Sequence, residues 1–162
     1  MKQILFIFAA LLTFATARND IPSCYKALQL HPDQSTPQKA LFILVDQTTP
    51  LDKKLMIYIY KNMMHFIKNS SAVTIASFSA NANGKYADVA YEGYLEPLLS
   101  KDAQYDISKK KLRKYKACMN GQYNYAKKKA TRALVHVLKG ANKKLPHSDI
   151  FRSLHDLSKR VI

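Results

Sequence analysis

The chain reads as an α/β protein, a mixed sheet with flanking helices, and three features predict this. An apolar run over residues 39–45 ends in Asp46-Gln47-Thr48, where an amphipathic helix pattern begins. Two β-favouring segments, 72–80 and 86–95, flank the hairpin-type Asn81-Ala82-Asn83-Gly84-Lys85. Helical periodicity then fills most of the remaining chain. The resulting order of strand, helix, strand, strand, helix, helix is an α/β layout.

The 162 residues suit one domain after an amino-terminal leader. Residues 1–17 have the marks of a secretory signal peptide. Lys2 is the lone early charge, 4–14 is nearly all apolar, and Ala15-Thr16-Ala17 supplies small residues for cleavage. The apolar stretch of roughly 14 residues is shorter than the ~20 needed to span a bilayer. Cys24 follows Ile21-Pro22-Ser23, which is not a lipidation box. The sequence therefore predicts an exported protein, periplasmic or secreted, with no transmembrane span after cleavage. Its mature form would start near Arg18.

Residues 18–38 read as an irregular lead-in punctuated by Pro22, Pro32 and Pro37. The run 39–45 reads as a buried central strand. Thr49-Pro50-Leu51-Asp52 starts a helix, with Thr49 as the cap, Pro50 in the first turn and Asp52 favourable to the dipole. That helix should reach about Lys68, with Leu51, Leu55, Ile59, Met63, Phe66 and Ile67 on its buried face. Residues 72–80 form a second strand through Val73, Ile75 and Phe78. The alternation in 86–95 predicts a third, antiparallel edge strand, with Asp88, Glu92 and Glu96 on a solvated face.

Residues 97–106 read as loop, 107–117 as a short basic helix and 121–145 as a long amphipathic one. Ala126, Ala130, Ala133, Leu134, Val137, Leu138 and Ala141 make the long helix's apolar stripe. After Pro146, Ser148 should cap a last helix that buries Ile150, Leu154, Leu157 and Val161.

Two cysteines, Cys24 and Cys118, form an even pair in an exported chain and predict a disulfide. No Cys-x-x-Cys spacing points to a metal.

The formal charge is +15, and 13 Lys and Arg fall within 107–148 with no Asp or Glu. Lys128, Arg132, His136, Lys139 and Lys143 share the polar face of the long helix. Such a face suits anionic partners: lipid headgroups, acidic polysaccharide or extracellular nucleic acid. Tyr115, Tyr123 and Tyr125 interleave with it and could stack on single-stranded bases. A solvated face of a basic protein is the simpler account.

No nucleophile elbow, glycine-rich phosphate loop or His-Glu-x-x-His is present, and only four glycines occur. His31, His65, His136, His147 and His155 lack partners at triad or metal spacing. The sequence predicts no catalytic residues and no enzyme.

The strand ending in Asp46-Gln47-Thr48, the helix after it and the following hairpin resemble the first half of a von Willebrand factor A-like domain. The likeness is to degenerate A-domains of exported bacterial proteins and covers roughly residues 39–145. The family's Asp-x-Ser-x-Ser motif matches at Asp46 and, with Thr for Ser, at Thr48. Its third position falls on Pro50, which has no side-chain oxygen. The resemblance implies a three-layer, Rossmann-like sheet over 39–162. Its carboxyl end would be incomplete, because the pattern reaches Ile162 before a fourth strand. It also implies a non-enzymatic binding or scaffold domain that captures a protein partner at Asp46 and Thr48, aided by Mg²⁺ or another divalent metal. Against the metal stands a plainer account, in which Asp46 satisfies backbone groups at the turn.

Overall fold

The computed structural model describes residues 19–32, 37–82, 85–142 and 148–161. The proposed signal peptide, the Asn83-Gly84 turn and Lys143 lie outside these residues. The elements are α1 (Cys24–Leu28), β1 (Lys39–Asp46), α2 (Lys53–Phe66), β2 (Ser71–Ala82), β3 (Lys85–Tyr94), α3 (Lys101–Tyr105), α4 (Lys109–Lys139) and α5 (Ile150–Val161).

The three strands form one mixed sheet in the order β1-β2-β3. β1 runs parallel to β2 from Lys39↔Ser71 to Asp46↔Phe78. α2 is the crossover that a parallel pair requires. β3 returns antiparallel, with Ile75 opposite Tyr91 and Ala76 opposite Val89, so Ala90 is an extra residue that makes a bulge. Leu41, Ile43, Val45, Val73, Ile75 and Tyr91 pack with α2 and α4 on one side of the sheet. Leu44, Ala76, Phe78, Ala87 and Val89 meet Leu157 of α5 on the other. The chain is therefore a three-layer α/β structure compatible with a Rossmann-like arrangement.

Several elements differ from the sequence reading. The apolar run of β1 suggested a central strand, but β2 is central and β1 lies at an edge. The lead-in contains α1, capped by Ser23, and the loop after β3 contains α3, capped by Ser100. Asp52, not Thr49, caps α2 by accepting the Leu55 N–H at 2.8 Å. The two basic helices are one 31-residue helix. Gly121 does not interrupt it, because the position is exposed and the helix gains more from its buried stripe than one glycine costs, about 1 kcal/mol. On α5 the predicted face is only partly used. Leu157 is buried, but Ile150 and Leu154 remain 53% and 47% exposed while Ser153 is buried at 2%. Val161 has no described side chain.

A second cluster holds α1 to the middle of α4. Cys24 and Cys118 form the disulfide, with Cα atoms 5.8 Å apart across 94 positions. Tyr25 and Tyr115 meet edge to face at 5.8 Å. Glu96, expected on a solvated strand face, is buried here. Its carboxylate accepts from the Ser23 hydroxyl, from Cys24 N–H at 2.8 Å, from Tyr25 N–H at 3.3 Å and from Gln122 Nε2 at 3.0 Å. A carboxylate at the start of α1 meets the backbone donors that a helix terminus leaves unpaired.

Candidate functional site

β1 delivers Asp46 to the carboxyl end of the sheet, where open α/β folds place ligands. Asp46 Oδ1 accepts the Thr48 N–H at 2.8 Å and the Thr48 hydroxyl at 2.7 Å. Oδ2 accepts the Ser148 hydroxyl at 2.9 Å. Burial raises the Asp46 pKa, but the Thr48 N–H and the two hydroxyls outweigh it and hold the carboxyl below its ordinary value.

Ser148 was expected to cap α5. Asp149 does so instead, accepting the Arg152 N–H at 3.0 Å, which leaves the Ser148 hydroxyl for Asp46. Gln47, between the two motif residues, ties this corner to the end of α4. Its Nε2 donates to Val137 O at 3.1 Å, and its carbonyl accepts the Asn142 N–H at 2.7 Å.

The structure thus brings Asp46 and Thr48 together and adds Ser148, which no local pattern could reveal. Ser77 pairs with Val45 and shares its side of the sheet, opposite to Asp46, so it does not join the cluster. The donor set suits a hydrogen-bonded turn better than a resident divalent ion. One carboxylate stands alone, its oxygens are taken by three protein donors, and both hydroxyls aim their protons at it. Mg²⁺ would need several oxygen ligands and a site whose charge offsets its own. Among the described residues no three His, Cys, Asp or Glu side chains gather in a metal-binding group.

Beside Asp46, β1 and α2 enclose an apolar groove of about 490 Å³ that reaches Leu55, Tyr58 and Phe78. It runs along β1, the edge strand of the described sheet.

The second candidate is the outer face of α4. Lys128, Arg132, His136 and Lys139 are all exposed there, as expected. α4 carries eleven Lys and Arg and no acid, and none of these cations pairs with a described carboxylate. The interleaved tyrosines behave differently from one another. Tyr115 is 2% exposed and donates structure rather than a stacking platform, since its hydroxyl accepts the Leu99 N–H at 2.9 Å. Tyr123 is half-buried under Lys127, whose Nζ lies 4.1 Å from the ring centroid. Tyr125 is 36% exposed, with Lys129 Nζ 5.4 Å from its ring centroid. On the side towards β3, Asp20 and Asp88 face Lys129, Arg132 and His136 across a cleft of about 530 Å³.

Compared with protein-family models, curated proteins and solved structures, the chain has no match in any of the three. No described helix is long and apolar enough to cross a membrane.

Proposed function

We propose that the chain is an exported, non-enzymatic binding domain whose working surface is the basic outer face of α4, directed at an anionic partner. The observation that carries this reading is the charge of α4, eleven cations on one helix without an acid among them. A row of cations attracts polyanions through counterion release, and a folded helix presents it in fixed geometry. Lys predominates over Arg on this face, so recognition is by charge density rather than by bidentate geometry. Export is supported by the leader-like residues 1–17 and by the disulfide, which suits an oxidising compartment.

A second reading keeps the von Willebrand A-like resemblance and a protein partner. It rests on β1 as the edge strand of the described sheet and on the groove beside Asp46. An extended segment of the partner would add a fourth strand there, bound through backbone hydrogen bonds. The donors already on Asp46 argue against metal-assisted capture.

Binding of the purified mature chain to heparin separates the two readings. In the first, Asp46→Ala binds as the wild type does and raising the salt releases the ligand. Retention that is indifferent to salt would refute it.

A further inference from the structure

The helical layer of the fold combines charge with exposed apolar surface. α2 and α4 together carry fourteen Lys and Arg and no Asp or Glu. α2 is also apolar beyond its buried side, leaving Ile57 45%, Tyr58 66% and Tyr60 37% exposed. Val135, on the outer side of α4, is 42% exposed.

Tyr58 lines the groove beside β1, but the other three are not scattered. Ile57, Tyr60, Leu134, Val135 and Leu138 line one shallow groove of about 200 Å³ between the two helices. Lys53 and Lys139 stand at its rim. Towards the other end of α2, the same seam opens into a cleft of about 570 Å³ with Lys68, Asn69, Lys116 and Asn120 on its walls. Helical spacing places Lys54 and Lys61 of α2 beside Ile57, and Lys128 and Arg132 of α4 beside Val135.

We infer that this α2–α4 surface docks on an anionic lipid bilayer, with Ile57, Tyr60 and Val135 entering the headgroup region and the surrounding lysines meeting lipid phosphates. The inference rests on the polyanion reading above and names its partner class. A soluble polyanion explains the cations but gives the aliphatic groove nothing to bury against. A second copy of the chain would bury the groove but bring two strongly positive surfaces together. A lipid surface satisfies both halves, since apolar side chains and basic heads are what hold interfacial helices to anionic membranes. Tyr60 fits the same place, with a ring for the apolar side and a hydroxyl for water. Stacking on single-stranded nucleic acid is less well served, because Tyr115 is buried and lysines lie over the rings of Tyr123 and Tyr125.

The chain has no tryptophan, so one introduced residue reports its own surroundings without interference. Tyr60→Trp in the groove and Tyr105→Trp on α3, each in the mature chain, are mixed with vesicles of phosphatidylcholine containing about a third phosphatidylglycerol. Vesicle flotation measures binding alongside. The inference expects flotation with these vesicles and not with pure phosphatidylcholine, a blue shift of the Tyr60→Trp emission, and no shift for Tyr105→Trp. It also expects the double variant Ile57→Ser, Val135→Ser to bind vesicles about tenfold more weakly while holding heparin as before. Both positions are exposed, and an unchanged thermal midpoint confirms that this variant folds. Flotation without a Tyr60→Trp shift, or a double variant that binds vesicles normally, overturns the docking surface. Heparin binding without vesicle binding overturns the lipid assignment and leaves the polyanion reading standing. Binding to neither removes both.

Discussion

The Ser148 hydroxyl donates to Asp46 Oδ2 at 2.9 Å, joining the segment before α5 to the end of β1 across 102 positions. With the two bonds from Thr48, it makes Asp46 the fastening point of this corner. Asp46→Ala should cost about 1–3 kcal/mol, because it leaves three donors without their acceptor. Ser148→Ala should cost less, about 1 kcal/mol. Urea melts of the two variants against wild type check both values.

The same corner carries a pH signature. The folded Asp46 pKa is depressed, so its contribution is fully present above the ordinary carboxylate value and is lost as pH falls through the folded pKa. Asp46→Asn cannot titrate there. The stability gap between wild type and Asp46→Asn should therefore be constant near neutrality and shrink on acidification below the ordinary value. Thermal midpoints of the pair across an acid series would show it, and a gap that widens on acidification would contradict the assignment.

The disulfide closes a 94-residue separation between α1 and α4. In the chain-entropy description such a loop contributes about 4–5 kcal/mol. Cys24→Ser with Cys118→Ser should lower the unfolding free energy by roughly 2–5 kcal/mol. The loss should be seen equally when the wild-type protein is reduced.

Gly93 has no room for a side chain. A β-carbon there would overlap the Tyr91 ring and hydroxyl and come within 2.9 Å of Ile21 Cδ1. Tyr91 and Ile21 are both buried, so neither can swing away freely. Gly93→Ala should destabilise by about 1–3 kcal/mol through overpacking. Gly121→Ala, where nothing lies within 4 Å of the added atom, should stabilise α4 by up to about 1 kcal/mol. Melts of the two variants side by side test the contrast.

What the sequence could reveal followed the reach of each signal. The strand of 39–45, the helix after it and the hairpin pair were legible because apolar period and turn chemistry are local, and all three elements form. The two helices read over 107–117 and 121–145 are one, held by a stripe running from Tyr115 to Leu138. The position of β1 at the sheet edge could not be read, since a continuous apolar run describes burial and not strand order. Glu96 looked like the third member of a solvated alternation, yet its partners Ser23, Cys24 and Tyr25 lie more than 70 positions away. Ser148 carried a strong local signal for capping. Asp149 carried the same signal one residue later, and tertiary packing chose between them. On α4 the charge pattern located the exposed cations correctly, because an acid-free polar face has no reason to turn inward. It could not show that Tyr115 belongs to the core or that α2 adds apolar surface beside the charge.

The central claim is that the outer cations of α4 bind a polyanion. The most direct measurement is the dissociation constant for a fixed-length single-stranded oligonucleotide, used as a uniform anionic probe, over a series of salt concentrations. It compares wild type with the triple variant Lys128→Gln, Arg132→Gln, Lys139→Gln. If these three side chains meet phosphates, the slope of log K against log salt should be shallower by about 2, at roughly 0.7 for each phosphate no longer neutralised. Unchanged slope and affinity in the triple variant would contradict the account and place the binding surface elsewhere.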